Sequence, residues 1–508
     1  MCQNHRTLIF QGGGALGAYE AGIYNALYDH LIEDTLKENR QLFDIVAGTS
    51  AGAINATLIV NHVRQNKDRI NPWKGSSNML YQFWQNVSTD TSFLEISTIK
   101  FWQRYLYIYR DLFNNIWKPF FNEFDKLFVG LRENPYFLSY YYLWPDRYGK
   151  LATYESFRRY WSWYQFSNSP FGTLKVLSPG IIQPDFRFLN PFNFMIRYDN
   201  SRLTKTISNY WDHERFPIKT IEGEPRLLLV AIDVQDATTV TFDSYHKKDN
   251  QMISVYSDED NNEKHIIRYN EGIKMEHLLT SMSSHLRYKF PELKVTTTSM
   301  DENELDVEDN TYPRPFMDGF YLSNTPLREV LQAHRDYWYK VKGMDENVPS
   351  LDIYIGDLYT AKEIGTPEDP DSINNRVQNV LYHDKSKYDE KVAAMISDYI
   401  FVIRYLVKMI NENGTTEKAI YDKLNCDLKE KLRSTNRQGD IRNVEDLING
   451  RAKINHLQRI EYGACQNLID SDDIYGKAFE FSKHTVDELF KKGYSDACIK
   501  CDFDNNSS

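Results

Sequence analysis

The sequence predicts an α/β fold built on a parallel sheet, and two patterns near the amino terminus predict it. Thr7–Phe10 and Phe43–Ala47 are short, mostly apolar runs that end at glycine, as buried strands do. Each run is followed by apolar residues at helical spacing, over Tyr19–Leu36 and Ala53–Val63. Strands that alternate with helices at this spacing form βαβ units, which place the strands parallel in one sheet.

The α/β pattern returns in the second half of the chain. The run at 226–234 is strongly apolar and bounded by polar turn residues, so it is a strong strand candidate. Weaker strand patterns follow it. We predict these later strands at Arg226–Val234, Thr239–Tyr245, His265–Tyr269 and Ser350–Ile355.

The segment between the two α/β stretches is unusually aromatic. From residue 101 to 150, 18 of 50 residues are Phe, Trp or Tyr, against 14% in the whole chain. Several of these aromatics fall at helical spacing. We therefore expect an aromatic-rich helical insertion over residues 73–179.

The last quarter of the chain has helical patterning. The two-proline stretch Thr366–Asp371 has the composition of a linker. Beyond it, one long apolar stripe runs from Val392 to Ile410, and Thr485–Glu488 matches a capping box. The sequence thus predicts a helical C-terminal region over residues 375–508.

Composition excludes several classes of protein. A chain of 508 residues with 41% hydrophobic content can bury a large core, divided over two or three domains. Its net charge of −11 disfavours nucleic-acid binding, which depends on basic surface. Five cysteines are few and odd in number, which favours a reducing compartment over a disulfide framework. The lone pair Cys498 and Cys501 is a weak metal or redox motif.

Targeting signals are also missing from the pattern. The amino terminus lacks a basic segment followed by an apolar stretch, so we expect no signal peptide. The most apolar helical stretch, Met395–Ile410, is too short to span a bilayer and is interrupted by charges. We expect a cytoplasmic protein, at most peripheral to a membrane.

The motif Gly48-Thr-Ser-Ala-Gly52 lies between a predicted strand and a predicted helix. Gly-x-Ser-x-Gly at that position forms a nucleophile elbow, a sharp turn whose flanking residues must be small. Ser50 would project its hydroxyl from the strand end. A serine hydroxyl is a weak nucleophile, so it needs a neighbouring base.

A second glycine-rich turn, Gly12-Gly-Gly-Ala-Leu-Gly17, also follows a strand and opens a helix. Backbone N–H groups in such a turn can bind the oxyanion that forms when a serine attacks an ester. Gly12, Gly13 and Gly14 fit that task. Either motif alone is common, whereas the two together at this spacing are more specific.

Together these motifs resemble the patatin-like phospholipase family, most closely its bacterial branch. The likeness extends over LIFQGGGALGAYEAGIYNAL, FDIVAGTSAGAINA and the later MDGFYLSNTP. It implies a three-layer α/β/α core with a mostly parallel sheet, formed by residues 5–72 and 180–365. It also implies Ser50 as nucleophile and Asp318 as its base, with no histidine in this dyad.

The resemblance assigns the remaining glycines and the reaction. Gly12, Gly13 and Gly14 would form the oxyanion hole, and Gly17, Gly48, Gly52 and Gly319 would complete the motifs. The implied activity is hydrolysis of lipid carboxylic esters through an acyl-enzyme, of phospholipase A, lysophospholipase or esterase type. The implied partner is a lipid or acyl-ester substrate, with transient contact to a membrane surface and with neither metal nor organic cofactor.

Two residues depart from the family pattern. Leu16 stands where many members have a basic residue, so a charge beside the oxyanion loop is absent. Phe320 replaces the small third residue of the Asp-Gly motif, and its ring could narrow the site or alter the turn that holds Asp318. A covered site would also be needed to raise the basicity of Asp318. The aromatic insertion is a candidate lid for that purpose, or a subdomain that packs its own aromatics.

Three alternatives stay open. An ordinary α/β-hydrolase would need a histidine late in the chain; the candidates are His285, His334, His383, His456 and His484. The spacing of Gly12, Gly14 and Gly17 also fits a dinucleotide site, although the acidic residue expected after the second strand is missing. Finally, the chain could be a catalytically weak scaffold that binds a partner through its helical additions.

Overall fold

The structure is a computed structural model. It describes residues 4–88, 178–184, 194–246, 251–258, 263–283, 290–299, 310–343, 348–362, 366, 370–411, 416–428, 444–448, 453–462 and 481–501. Most of the predicted insertion lies outside these residues, as does His285.

The helices and strands follow one another as the alternating pattern predicts in the first 65 residues. In chain order the first elements are β1 (His5–Phe10), α1 (Gly17–Lys37), β2 (Ile45–Gly48), α2 (Ala51–Gln65), α3 (Ser76–Val87), β3 (Ser178–Pro184), β4 (Phe194–Asp199), α4 (Ser201–Ser208), β5 (Arg226–Asp233), β6 (Thr238–Asp243), β7 (Ile253–Asp258) and β8 (Glu263–Arg268).

The remaining elements complete the core and form the C-terminal region. They are α5 (Met275–Met282), β9 (Glu292–Ser299), β10 (Thr311–Asp318), α6 (Phe320–Ser323), α7 (Leu327–Arg335) with a π-helical turn (Asp336–Val341), β11 (Leu351–Asp357), α8 (Pro370–Tyr382), α9 (Ser386–Asn411), α10 (Glu417–Leu428), α11 (Val444–Ile448), β12 (Ile454–Glu461) and α12 (Lys483–Lys500).

One ten-stranded sheet organises the core, in the order β12-β11-β1-β2-β5-β10-β9-β8-β7, with β6 paired to β5. From β12 to β5 the strands are parallel. From β5 onward, neighbouring strands are antiparallel. The sheet is therefore mixed, and its parallel pairs lie in the half that runs from β12 through β1 to β5. The pairs β5–β6 and β7–β8 have connections too short for the helical crossover that parallel strands require.

Helices cover both faces of the parallel half, which confirms the three-layer α/β/α core. Side chains alternate along β1, so Leu8 and Phe10 join one core cluster and Ile9 joins the other. The first cluster includes residues of α1, α2, α3 and α12. The second includes Leu327 of α7 and Trp338 of the π-helical turn.

The C-terminal region contains the predicted helices and also returns to the core. Helices α9, α10 and α11 share a small apolar cluster around Ile400, Tyr421 and Ile448. Strand β12, which the sequence did not predict, adds the edge strand beside β11. Helix α12 lies along α1, where a Cβ atom at Gly493 would overlap the carbonyl of Tyr19.

The cap of the last helix differs from the predicted one. The helix begins after Ser482, whose hydroxyl accepts the N–H of Thr485 at 3.4 Å. The capping residue is thus three positions before the Thr485–Glu488 motif. Serine is a strong N-cap residue because its hydroxyl satisfies an N–H group that the helix leaves free.

Candidate active site

The Gly-x-Ser-x-Gly motif forms the sharp turn between β2 and α2. Ser50 has φ 56° and ψ −124°, a left-handed conformation that a residue with a side chain rarely adopts. The two flanking glycines are required by space: a Cβ at Gly52 would lie 2.6 Å from the carbonyl oxygen of Gln11, and one at Gly48 would overlap Gly52. The predicted elbow is therefore present.

Asp318 ends strand β10, and its side chain has no exposed surface. Its Oδ1 accepts the N–H of Phe320 at 3.1 Å. The Ser50 hydroxyl interacts with the same carboxyl and lowers its pKa, although Oδ2 has no partner with full hydrogen-bond geometry among the described residues. Catalytic hydrogen bonds are often loose before substrate binds. The structure thus brings Ser50 and Asp318 together.

Burial gives Asp318 the basicity that the sequence analysis required. Loss of solvent raises the pKa of Asp318 to about 7, against the smaller lowering effects of the Ser50 hydroxyl and the Phe320 amide. A base is most effective when its pKa lies near the working pH. At neutral pH this carboxylate is therefore both partly ionised and able to take a proton.

A second buried aspartate shows why Asp318 is unusual. Asp233, at the end of β5, is equally buried, but it accepts hydrogen bonds from Arg314 at 2.7 Å and from Tyr256 at 2.6 Å. Its charge is thus compensated by Arg314. Asp318 has no cationic partner within the described part of the chain.

The glycine-rich loop passes directly beside Ser50. A Cβ added to Gly12 would lie 2.8 Å from the Cβ of Ser50 and 2.8 Å from that of Phe320. The N–H of Gly12 is already bound to Asn324 Oδ1 at 2.8 Å. In the residues that the structure describes, the N–H groups of Gly13 and Gly14 donate to no protein acceptor. Of the three predicted donors, these two are free for a ligand.

Buried polar groups behind the loop hold it in place. Glu20 accepts the N–H of Gln11 at 2.5 Å, and burial raises its pKa well above the usual range. The Gln11 side chain bonds Thr325 Oγ1 at 2.7 Å and the N–H of Leu358 at 2.9 Å. Sequence reasoning missed these residues, and the one available signal was that Gln11 directly precedes the glycines.

Two asparagines, Asn324 and Asn55, tie the turns together. Asn324 accepts from Gly12 and donates to the carbonyl of Tyr382 at 2.9 Å. Asn55 donates to the carbonyl of Gly17 at 2.9 Å and accepts from the indole of Trp84 at 2.9 Å. A Cβ at Gly17 would overlap the Trp84 ring, so this motif glycine permits the close approach of α3.

Phe320 leaves the Asp-Gly turn intact and forms a wall beside the site. Gly319 has ordinary helical angles, φ −65° and ψ −18°, so the bulky neighbour imposes no strained backbone. The Phe320 ring lies 4.6 Å from the ring of Tyr382, which itself lies 5.6 Å from Tyr359. Next to this aromatic wall is a small cleft of about 100 Å³, which Phe320, Asn324 and Tyr382 help to line. The other departure, Leu16, is buried in the core.

No described histidine contacts Ser50 or Asp318. His334 lies at the opposite end of β1, where it bonds the carbonyl of Pro349 and faces His5. His383 bonds its own helix, and His456 lies on β12. His484 pairs with Glu488 on the surface. His285 lies outside the described residues, so its role as the histidine of a Ser-Asp-His triad stays a hypothesis.

The described ranges also lack a metal-ligand cluster and a membrane-spanning helix. No group of three or more His, Cys, Asp or Glu side chains there could hold a metal ion. No helix there is both long and apolar enough to cross a bilayer.

Comparison with known proteins identifies the family. A family model described as patatin-like phospholipase matches residues 8–331, more than half of the chain. The chain belongs to the patatin-like phospholipase family. The assignment places it among hydrolases that act on lipid esters and disfavours the dinucleotide-binding alternative.

Other comparisons add little. No curated protein sequence matches the chain. Among solved structures, the crystal structure of VipD from Legionella pneumophila is similar over 97% of this chain and 67% of VipD, with 11% identity and a TM-score of 0.27. A TM-score of 0.27 does not show a shared fold.

The buried carboxyl of Asp318 should cost stability at high pH. Its pKa in the folded state, about 7, lies above the value near 4 of an unfolded aspartate. The folded protein therefore loses stability from this group as the pH rises through that interval. We expect Asp318→Asn to be more stable than wild type at pH 8, by up to about 4 kcal/mol, and equal to it near pH 4.

Urea unfolding of both proteins at a series of pH values measures this difference. Asp68→Asn, which removes an exposed carboxylate from the turn after α2, is the matched control and should show no pH-dependent gain. A stability gain for Asp318→Asn that is the same at pH 4.5 and pH 8 would contradict the assignment of the raised pKa.

Proposed function

We propose that this protein hydrolyses carboxylic ester bonds of lipids, with Ser50 as nucleophile and Asp318 as its base. One observation carries the proposal: a serine on a strained elbow interacts with a fully buried carboxyl whose pKa is raised to about 7. Asp233, a buried aspartate that is paired with Arg314, lacks this combination of features.

The reaction follows from these contacts. The acyl carbonyl lies against the glycine loop, and the Ser50 hydroxyl attacks it while Asp318 accepts the proton. The N–H groups of Gly13 and Gly14 bind the oxyanion, since that of Gly12 is used by Asn324. Asp318 then gives its proton to the departing alcohol, which leaves an acyl-enzyme. Water, activated by the same carboxylate, releases the fatty acid and restores Ser50.

Gly12 has a supporting part in this scheme. Its bond to Asn324 fixes the orientation of the first peptide in the loop, so the following N–H groups are held before substrate arrives. Preorganised donors stabilise the oxyanion more than mobile ones, because they need no rearrangement during the reaction. Phospholipase A, lysophospholipase and esterase activities all fit this site, as they differ in the alcohol that leaves.

We further propose that helices α8 and α9 contact a lipid surface. Apolar side chains on α8, at residues 373, 377, 380 and 381, are each about half exposed, and the helix ends at Tyr382 beside Phe320. Large apolar patches on a protein surface commonly mark interaction sites. On α9 the exposed apolar residues are Tyr388, Met395, Ile396, Tyr399, Phe401, Val402, Ile403, Tyr405, Leu406, Met409 and Ile410.

Removing either member of the dyad should abolish turnover. We expect wild type to hydrolyse p-nitrophenyl butyrate or palmitate, and Ser50→Ala and Asp318→Asn each to lower kcat/KM by about a thousandfold or more. Each substitution removes a group that forms or breaks bonds in both half-reactions. Circular dichroism checks the fold, and Asp68→Asn and Ser495→Ala, both at exposed positions, are the controls.

The outcomes separate the alternatives. An inert wild type would favour the scaffold alternative, since the fold would then be present without catalysis. If Asp318→Asn keeps its rate while Ser50→Ala loses it, another base operates, and His285→Ala is the next variant to measure.

The pH dependence of kcat/KM should report the buried base. We expect the value to rise with pH to a plateau with an apparent pKa near 7, because only ionised Asp318 accepts the Ser50 proton. A carboxylate of ordinary pKa would be ionised throughout this range. Initial rates with p-nitrophenyl butyrate from pH 5 to 9, after correction for spontaneous hydrolysis, give the profile. A plateau already reached at pH 5 contradicts this role for Asp318.

Charge on α8 should weaken lipid binding and leave the chemistry intact. We expect Val380→Asp combined with Leu381→Asp to reduce sedimentation with phosphatidylcholine vesicles, since charged groups are costly to bury in an apolar phase. Turnover of dispersed p-nitrophenyl butyrate should stay within about twofold of wild type. The control is Ile70→Asp, at a side chain 98% exposed after α2. Equal loss of sedimentation in the control would show that α8 is not the contact surface.

A further inference from the structure

The two candidate catalytic residues come from strands that are not neighbours. Ser50 follows β2, Asp318 ends β10, and β5 lies between these strands, with Leu229 paired to Gly48 and Ala231 paired to Asp318. Two strands with a third strand between them lie about 10 Å apart. Because β2 and β10 are not hydrogen-bonded to each other, strand pairing alone does not set the distance between Ser50 and Asp318. Other contacts must hold the two turns together across β5.

The carboxyl-terminal end of α5 contacts both turns. The carbonyl of Ser281 accepts the N–H of Ser50 at 3.0 Å, and the carbonyl of Ser283 accepts the N–H of Asp318 at 3.0 Å. The last carbonyls of a helix lack partners within the helix, so they are available for such bonds. Helix α5 itself packs against β5, β10 and α2, which are the elements around the site.

The Ser281 side chain adds a second connection. Its hydroxyl donates to the carbonyl of Val230 at 2.6 Å and lies 3.3 Å from the N–H of Ser50 as an additional acceptor. Val230 is the β5 residue between the two that pair with Gly48 and Asp318. Its carbonyl also lies against Gly319, where a Cβ would overlap it. One fully buried hydroxyl thus links the elbow to the intervening strand, whose Val230 carbonyl lies against the Asp-Gly turn.

We propose that the carboxyl-terminal end of α5 positions both candidate catalytic residues, and that Ser281 is the side chain through which it holds Ser50. The proposal rests on the proposed function for the roles of Ser50 and Asp318. Ser281 touches neither substrate nor the reacting atoms, so it is a positioning residue.

The contact with Ser281 helps to hold the strained backbone at Ser50. A left-handed conformation at a residue with a side chain is strained and persists only where its surroundings enforce it. The Ser50 N–H, bound to Ser281, is one of the groups through which that enforcement acts. Without the hydroxyl, the elbow keeps the carbonyl bond but loses its link to Val230. The Ser50 hydroxyl would then leave its attack geometry more often.

Ser281→Ala is the test, and Thr280→Val is its matched control. Thr280 is equally buried in the same helix, but its hydroxyl donates only to the carbonyl of His277. We expect Ser281→Ala to lower kcat for p-nitrophenyl butyrate about tenfold with KM unchanged, the size of effect that one lost hydrogen bond has. Thr280→Val should keep kcat within about twofold. The apparent pKa of the profile should not move, because the surroundings of Asp318 are preserved.

Hydrogen exchange provides a readout that does not depend on activity. Mass spectrometry of peptides that span residues 46–54 should show faster deuterium uptake in Ser281→Ala than in wild type or Thr280→Val. Should Ser281→Ala fail to fold, Ser281→Cys keeps the side-chain volume with a weaker hydrogen-bonding group, and it should show an intermediate increase in exchange.

The activity and exchange results distinguish failure of the proposed function from failure of the role given to Ser281. A wild type without esterase activity overturns the proposed function, while the exchange comparison still tests the positioning by α5. An unchanged exchange rate and kcat in Ser281→Ala, or an equal change in Thr280→Val, overturns the role of Ser281. A rise in KM with kcat preserved would also overturn it, because a positioning residue for the nucleophile acts on the chemical step.

Discussion

The candidate site depends on the buried carboxyl of Asp318, which lacks a counter-charge. Burying an ionised group without a cation is costly, so the protein must supply other contacts or lose stability. Asp318 receives only an amide from Phe320 and the approach of the Ser50 hydroxyl. The pKa of Asp318 is raised because these few hydrogen bonds do not offset its burial. The carboxyl therefore has a proton affinity suited to a base at neutral pH.

Most features around the site serve to bring groups close to this carboxyl without adding charge. Glycines at 12, 48, 52 and 319 remove side chains where backbones cross, and Phe320, whose N–H binds Asp318, has an uncharged side chain. A basic residue close to the site would favour ionised Asp318 and reduce its strength as a base. Phe320 thus adds bulk beside the site without lowering the basicity of Asp318.

Sequence patterns predicted the part of the structure that local rules determine. The strands and helices up to residue 65 and the sharp turn at Ser50 follow from apolar periodicity and small residues at tight turns. The Asp318 turn was implied only by the resemblance to the family. The antiparallel half of the sheet and β12 were harder, because an edge strand such as INHLQRIE is half exposed and has no clean alternation. Long-range partners were out of reach: Asn324 and Gly12 are 312 residues apart, and no local pattern specifies that bond.

The place of β12 and α12 also bears on the order in which the chain can fold. The glycine loop opens α1, yet α1 is covered by α12, and the sheet edge beside β11 is closed by β12. These contacts join distant parts of the chain: Tyr19 of α1 and Asp496 of α12, which share a hydrogen bond, are 477 residues apart. Contacts of such long sequence separation form late, because the entropy of closing the intervening loop must be lost before the contact stabilises the chain. The helix that the glycine loop opens therefore depends for its packing on slow, non-local contacts.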